Sequence, residues 1–245
     1  MRNDCVHRII RRDRRHRICS LNPGEDRLCV TAILRFSPEG DRAGASFHES
    51  IIKSKRRLTY DQVEQAVILK DRAVRKGLRG LLRHLDHMAE LARLLAAGRE
   101  ARGSIDFDLP EPELVLDMEG GIGAILKAPR LFSHRIIEEF MIAANEGVAE
   151  FLGSRRLPAV FRVHEPPDKE KLREVSGLLR ALSIEAKPGL HTPMALQEIL
   201  TRIKGKEYEF LVNRVILRSM KQARYSAINK GHFGLASPRY LHFTS

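Results

Sequence analysis

The sequence has no tryptophan, and only 6% of its 245 residues are aromatic. Its three cysteines, Cys5, Cys19 and Cys29, form no C-x-x-C pair and have no histidine cluster at metal-ligand spacing, which argues against a disulfide framework and a structural zinc site. No run approaches the roughly 20 apolar residues of a membrane span, and no apolar segment typical of a secretory signal follows the first residues. We therefore expect a cytoplasmic protein without a membrane partner.

Common nucleotide-binding and nucleophile motifs are also missing. There is no G-x-x-x-x-G-K-[ST] loop and no G-x-S-x-G elbow, and the GGIGA stretch lacks the surroundings of a dinucleotide fingerprint. Asp106 and Asp108 lie two residues apart, on one side of a predicted strand, where such a pair can hold a divalent metal. No third carboxylate or histidine has an evident reason to join them. We favour the interpretation that they mark a strand end and a turn.

Positive charge is in excess, with 43 Lys and Arg against 31 Asp and Glu, for a net charge of +12. Residues 1–18 contain seven Arg and two Asp and contribute +5, which leaves +7 for the remainder. A basic chain favours a polyanionic partner, most often nucleic acid, because phosphate contacts release counterions. The alternative is a basic protein without such a partner. Residues 1–18 lack apolar periodicity and are expected to form a disordered, solvated arm.

Hydrophobic periodicity predicts a mixed α/β fold of the α+β kind, with short strands and several amphipathic helices. Two strands are expected around a turn at 37–44, and two more around Gly120–Gly121. Thr59 and Gln62 have the spacing of a helix-starting capping box. The remaining predictions are a helical pattern at 66–100 that Gly77 and Gly80 bend or break, a helix over LFSHRIIEEFMIAANEGVAEFL, a strand at 158–167, and helices at about 168–184, 192–203 and 206–226.

The helix over LFSHRIIEEFMIAANEGVAEFL raises a question about its two adjacent glutamates. One of Glu138 and Glu139 must lie near the apolar face, where a carboxylate needs a partner or a ligand. Periodicity alone favours a partly exposed glutamate pair. The predicted apolar face consists of Ile137, Phe140, Ala144, Val148 and Phe151.

The helix predicted at 206–226 carries a basic face. Arg214, Arg218 and Lys221 share this face, and Tyr225 lies just beyond on the same side. Cations beside an aromatic ring suit phosphates and a stacked base. A solvated helix face is the ordinary alternative.

Several long segments occur in an order that resembles one family. They are CSLNPGEDRL, HESIIKSKRRLTYDQV, RGSIDFDLPEPE, HRIIEEFMIAANEGVAEFL, PAVFRVHEPPDKEKL, LRSMKQARYS and GHFGLASPRYLHFTS. Together they resemble the catalytic (RNB) domain of the ribonuclease II and ribonuclease R exoribonucleases, over about residues 19–245. The resemblance implies hydrolytic release of nucleoside 5′-monophosphates from the 3′ end of single-stranded RNA. It also implies magnesium held by aspartates and selection of RNA through the 2′-hydroxyl.

The resemblance also implies roles for individual residues. Tyr60 and Glu138 are similar to the tyrosine and glutamate that contact the terminal nucleotides, and Phe107 resembles the aromatic residue that packs on the terminal base in the ribonuclease II branch. With the basic helix face and the closing segment, the expected RNA-contacting residues are Tyr60, Phe107, Glu138, Arg218, Lys221, Tyr225 and His232.

The sequence departs from the family pattern at both ends. The family's acidic D-x-D-D-A motif is not found in residues 1–18, the arginine motif that follows HFTS is not present, and Asp106 and Asp108 do not match the metal ligands. We therefore expect residues 1–18 to be an Arg-rich arm that is not homologous to the family, and residues 19–245 to be an interior part of the catalytic domain. This part is expected to lack catalytic and metal-binding residues, to bind no magnesium alone and to be inactive alone. A non-catalytic RNA-binding fragment and the product of a disrupted gene are the alternatives.

Overall fold

The described part of the chain opens with a long antiparallel hairpin. The computed structural model describes residues 20–107, 112–116, 122–127, 130–185 and 189–244. Strand β1 (Asp26–Phe36) pairs with β2 (Arg42–Lys53) in a register that runs from Asp26 opposite Lys53 to Phe36 opposite Arg42. The two strands predicted around the first turn are confirmed.

Two further strand pairs are also antiparallel. Strand β3 (Pro112–Leu116) pairs with β4 (Ile122–Lys127), and β5 (Phe161–Val163) pairs with β6 (Arg224–Ser226). The strands predicted on either side of Gly120–Gly121 are therefore present, while the turn itself lies outside the described residues. Because each sheet in this part of the chain has only two strands, the packed core depends mainly on helices.

The helices follow the predicted order and confirm a mixed α/β fold. Thr59 caps the first helix: its hydroxyl accepts from the Gln62 amide, and the Gln62 side chain accepts from the Thr59 amide, as the capping-box spacing predicts. The predicted break near Gly77 is confirmed, since one helix ends there and the next begins at Leu82. The helices are α1 (Tyr60–Val67), α2 (Arg72–Gly77), α3 (Leu82–Ala101), α4 (Phe132–Ser154), α5 (Lys169–Ala181), α6 (Pro193–Ile203) and α7 (Glu209–Ser219).

The helix predicted at 206–226 is shorter than expected. Helix α7 ends at Ser219, Met220 has extended backbone angles, and Tyr225 lies on β6. The predicted basic face that joined Arg218 to Lys221 and Tyr225 is therefore wrong. Pairing of β6 with β5, about 60 residues earlier in the chain, takes precedence over the local helical pattern.

Helix α4 is present as predicted, but its buried face differs. Ile137 is 39% exposed, whereas Glu139 and Asn145 are buried. The preference for a partly exposed glutamate pair is therefore wrong for Glu139, which is 2% exposed. Glu139 and Asn145 can occupy the buried face because each finds hydrogen-bond partners there. The buried residues of α4 are Ser133, Ile136, Glu139, Ile142, Ala143, Asn145, Gly147, Val148 and Ala149.

Two hydrophobic clusters form most of the core. One joins α5, α6 and α7 through fully buried side chains such as Leu179, Ile199 and Ile216. The other joins α1, α3 and α4 around Ala66, Ala92 and Ile136. Among the described residues, no helix is long and apolar enough to cross a membrane.

A buried ion pair connects α3 to α4. Arg99 is 6% exposed, and its Nη2 and Nε donate to the Glu139 carboxylate at 2.7 and 3.2 Å. Burial opposes the charge on Arg99, but the hydrogen bonds and negative charge of Glu139 outweigh it and hold the guanidinium pKa above its ordinary value. Two charges buried so deeply are tolerated only because each satisfies the other.

The same arginine reaches a third segment. Its Nη1 donates to the Ser104 hydroxyl at 2.8 Å, and that hydroxyl donates to the Gly234 carbonyl at 3.3 Å. Ser104 follows Gly103, which has a φ of +86°. A Cβ atom on Gly103 would lie only 2.7 Å from the Met194 Cα. Glycine is required there, since any side chain would clash. Arg99 thus connects both helices to the closing segment of the chain.

Replacing Arg99 is expected to destabilise the protein strongly. Arg99→Met leaves the Glu139 carboxylate buried without its partner, which costs about 3–5 kcal/mol of unfolding free energy. The matched control is Arg102→Met, because the Arg102 side chain is 47% exposed where it pairs with Glu146, and pairs open to solvent contribute about 1 kcal/mol or less. Urea unfolding measures both. An Arg99→Met protein no less stable than Arg102→Met would contradict this account.

Candidate functional site

A pocket of about 550 Å³ lies beside α4, a volume within the range of ligand sites. It draws side chains from α1, α4, β5 and the closing segment, which are distant in sequence. We call it the ring-lined pocket. Its lining residues are Tyr60, His134, Ile137, Glu138, Met141, Ile142, Arg162, Ala223, His232, Leu235, Tyr240 and His242.

Tyr60 presents an aromatic ring at this pocket. It is the first residue of α1, directly after the Thr59 cap, and it is 46% exposed. Its ring packs against His134 of α4, with centroids 4.1 Å apart and planes tilted by 44°. A ring supported on one side and open on the other can accept a stacked base.

Glu138 places a carboxylate in the same pocket. Its side chain is 41% exposed, in contrast to its buried neighbour Glu139. The Arg130 guanidinium approaches Glu138 at 3.5 Å while donating to Asp106 at 2.8 Å. Glu138 therefore keeps accessible acceptor oxygens for a ligand hydroxyl, in an orientation that Arg130 restrains.

Backbone hydrogen bonds hold the closing segment against β5. The Arg162 amide donates to the Tyr240 carbonyl at 2.8 Å, the Phe233 amide donates to the His164 carbonyl at 2.8 Å, and the His164 amide donates to the Gly231 carbonyl at 3.0 Å. This strand-like docking places His232 and Tyr240 in the pocket wall.

Asn145 of α4 fixes the end of this segment. It is 1% exposed, and its Nδ2 donates to the Tyr240 hydroxyl at 2.9 Å. Its Oδ1 accepts from the amides of Phe243 and Thr244 at 2.8 and 2.9 Å. Each of these buried polar groups therefore has a hydrogen-bond partner. Through these bonds Asn145 holds the closing segment, which forms one wall of the pocket, against α4.

Aromatic rings continue along the wall. His232 lies edge-on to His164 and to Tyr240, with ring centroids 5.0 and 5.2 Å apart. Tyr240 contacts His242, whose Nδ1 lies 2.8 Å from the Tyr225 hydroxyl. Burial, with the charges of His164 and Arg162, lowers the pKa of His232 to about 4. His232 is therefore a neutral side chain near pH 7.

The structure brings three of the predicted RNA-contacting residues into the pocket: Tyr60, Glu138 and His232. Tyr225 is 58% exposed and joins the pocket edge through His242. Phe107 instead packs against the α5–α7 core.

Two of the predicted basic residues lie elsewhere. Arg218 is exposed on α7, and Lys221 forms an ion pair with Asp168 at 2.7 Å. Neither side chain lines the ring-lined pocket. Contact of either residue with RNA stays a prediction.

His134 and Arg162 are two polar residues of the pocket that sequence reasoning missed. His134 lies one turn before Glu138 on α4, so helical spacing could have placed it on the same face. Arg162 alternates with buried Phe161 and Val163 on β5, so a strand pattern could have turned it outward. Both residues lie in segments that resemble the family, but that resemblance implied a role for neither.

A second, polar cavity of about 380 Å³ lies near α3 and α6. Asp106 accepts there from Arg130 at 2.8 Å and from Arg135 at 3.3 Å. Seven charged side chains line this cavity, whereas aromatic and apolar side chains make up most of the lining of the ring-lined pocket.

Comparisons with known proteins identify the family. The RNB domain matches residues 5–245, a range that begins within the segment predicted as an arm. The chain belongs to the RNB-domain family. Ribonuclease R of Aquifex aeolicus is 44% identical over 230 residues, covering 94% of this chain and 32% of the relative. Ribonuclease R of Escherichia coli is 36% identical over 229 residues, covering 93% and 28%.

Solved RNB-domain structures have the same fold. The apo form of Mycoplasma genitalium RNase R has a TM-score of 0.83 at 28% identity, covering 95% of this chain and 36% of that one. The same protein in complex with ribose-methylated single-stranded RNA has a TM-score of 0.82 at 29% identity, covering 94% and 36%. The chain spans about a third of the length of these relatives.

The family resemblance implies bound magnesium, but the described residues do not form a site that would hold this ion. Within the ranges that the structure covers, no group of three or more His, Cys, Asp or Glu side chains could share an ion. Glu138 is approached by Arg130, and Asp106 by Arg130 and Arg135. Asp108 lies outside the described residues. The expectation about the metal stays a prediction.

Stability is expected to fall as the pH drops from about 6.5 to about 4. The unfolded chain protonates His232 near its ordinary pKa while the folded chain does not, so the unfolded state gains protons and is favoured. His232→Gln should lose less stability over this range than wild type in urea unfolding. His191→Gln, at an exposed histidine before α6, is the control and should behave as wild type. Equal pH dependence in all three proteins would contradict the assignment.

Proposed function

We propose that this chain holds the 3′-terminal nucleotides of single-stranded RNA in the ring-lined pocket, as part of a hydrolytic 3′–5′ exoribonuclease. The proposal rests on one observation. Segments far apart in sequence bring Tyr60, Glu138 and His232 into one pocket. An aromatic ring, a carboxylate and a neutral imidazole suit a base and a ribose better than an apolar ligand.

Each group has a chemical role in this proposal. The open face of Tyr60 stacks on a base, a contact worth about 1–3 kcal/mol in single-strand binders. The Glu138 carboxylate accepts a hydrogen bond from the ribose 2′-hydroxyl, a group that DNA lacks. The net charge of +12 favours association with any polyanion and adds no sequence preference.

Relatives support RNA as the partner. Solved structures of Mycoplasma genitalium RNase R include complexes with single-stranded and double-stranded RNA. For this chain we favour the single strand, because the pocket offers its wall of rings to an unstacked base, and bases within a duplex are already stacked.

The reaction we propose is cleavage of the terminal phosphodiester by water. The oxygen of water bonds to phosphorus, the bond from phosphorus to the 3′ oxygen breaks, and a proton from the water passes to that 3′ oxygen. A nucleoside 5′-monophosphate then leaves the shortened RNA, which ends in a 3′-hydroxyl. The described residues contribute binding and orientation to this reaction, and they gather no set of metal ligands. A non-catalytic RNA-binding role of the same pocket is the second candidate, favoured by that last observation.

Two substitutions test the pocket. Tyr60→Ala is expected to weaken binding of a 5′-labelled single-stranded RNA by about 5- to 150-fold, the loss of one stacked base. Glu138→Ala is expected to weaken RNA binding while leaving DNA of the same sequence nearly unaffected, so that RNA selectivity falls. Fluorescence anisotropy measures both.

The controls remove similar groups outside the pocket. Phe210→Ala removes an aromatic ring that is 54% exposed on α7, and Glu90→Ala removes an exposed carboxylate on α3. Both should bind RNA as wild type does. If Tyr60→Ala matched Phe210→Ala, the pocket would not be the binding site.

With magnesium, the chain alone is expected to leave the labelled RNA at full length. Stepwise shortening abolished by EDTA would show that it is active.

A further inference from the structure

Arg162 is a half-buried arginine in the wall of the ring-lined pocket. It lies on β5 between buried Phe161 and Val163, so the strand turns its side chain outward into the pocket. Its guanidinium carbon lies 4.8 Å from the ring centroid of Tyr225, its cross-strand partner on β6. The strand pair and the ring together restrict where this cation can point.

The basic residues around Arg162 are already paired. Arg224 and Lys230 share Glu165, at 3.0 and 2.7 Å, and Lys221 pairs with Asp168 at 2.7 Å. Arg162 differs from them, because no carboxylate of the described residues lies within ion-pair distance of it.

Two residues of the pocket lining belong to the charged types Lys, Arg, Asp and Glu. They are Glu138 and Arg162. Glu138 has its own cation in Arg130, at 3.5 Å. His232 is neutral near pH 7, and the charge of Arg162 contributes to the low pKa of that imidazole. Within the described part of the chain, Arg162 is therefore a fixed positive charge without a fixed counterion.

A half-buried guanidinium without a carboxylate is well placed to bind an external anion. Stacking on an aromatic ring leaves its N–H groups free, and their planar arrangement matches two oxygens of a phosphate. The remaining pocket groups match the rest of a nucleotide, with Tyr60 for the base and Glu138 for the ribose.

We propose that Arg162 binds a phosphate of the RNA held in the ring-lined pocket. This inference rests on the proposed function. It assigns the ligand class as a phosphodiester whose nucleotide lies between Tyr60 and Glu138, and it makes Arg162 a binding residue of the chain.

Measuring RNA binding over a range of salt concentrations tests this assignment. Arg162→Gln is expected to weaken binding of a short single-stranded RNA about tenfold to hundredfold at low salt. It should also reduce the slope of log K against log salt by about 0.7, the contribution of one phosphate contact in a single strand. Arg162→Lys keeps the charge and loses the planar fork, so it should bind more weakly with an unchanged slope.

Arg155→Gln is the matched control. Arg155 also stacks on an aromatic ring, Phe151, at 3.8 Å from the centroid, but it does not line the pocket. The Arg155→Gln substitution removes one positive charge from another surface. It should therefore change the RNA affinity and the slope of log K against log salt far less than Arg162→Gln does. A general effect of net charge would move both variants equally and would overturn the assignment.

The outcomes separate this inference from the proposed function. Wild-type protein that fails to bind RNA overturns both. Wild-type binding with unchanged affinity and slope in Arg162→Gln overturns the role of Arg162 alone. Urea unfolding checks that each variant is folded. If Arg162→Gln is not folded, Arg162→Lys decides, because the proposal requires it to bind RNA more weakly. A folded Arg162→Lys protein with the affinity of wild type would contradict the proposal.

Discussion

The buried pair of Arg99 and Glu139 is the interaction on which the rest of the structure depends. One guanidinium joins α3 to α4 and, through the Ser104 hydroxyl, joins both helices to the Gly234 carbonyl. Pairs of this kind add little net stability compared with apolar packing, but removal of one partner is costly. The pair therefore specifies one arrangement of three segments that share no local sequence signal.

Two adjacent glutamates on α4 have opposite environments as a result. Because Glu139 points inward to Arg99, Glu138 points towards the pocket, where its side chain is 41% exposed. Gly234, which Ser104 holds, is two residues from His232 in the opposite wall. The pocket is thus assembled around a core interaction that its ligand-facing residues meet at one point, since Glu138 Oε1 lies 3.9 Å from Arg99 Nη2. Asn145 reinforces the same wall from the next turns of α4.

Sequence alone predicts the local features of this protein and misses those that depend on distant partners. The Thr59 capping box and the helix break near Gly77 are set by neighbouring residues, and both were predictable. The inward turn of Glu139 depends on Arg99, 40 residues earlier. The end of α7 depends on pairing between Tyr225 and Arg162. Resemblance to a family assigned roles to Tyr60 and Glu138. Arg162 lies in a segment that resembles the family, but it is singled out by the structure, because no carboxylate of the described residues pairs with it.

A crystal structure of this chain with a short single-stranded RNA tests the central claim most directly. The account predicts a nucleotide in the ring-lined pocket, its base on Tyr60, a ribose hydroxyl at Glu138 and a phosphate oxygen within hydrogen-bond distance of the Arg162 guanidinium. RNA bound elsewhere, for example over the polar cavity around Asp106 and Arg135, with the ring-lined pocket unoccupied, would contradict it.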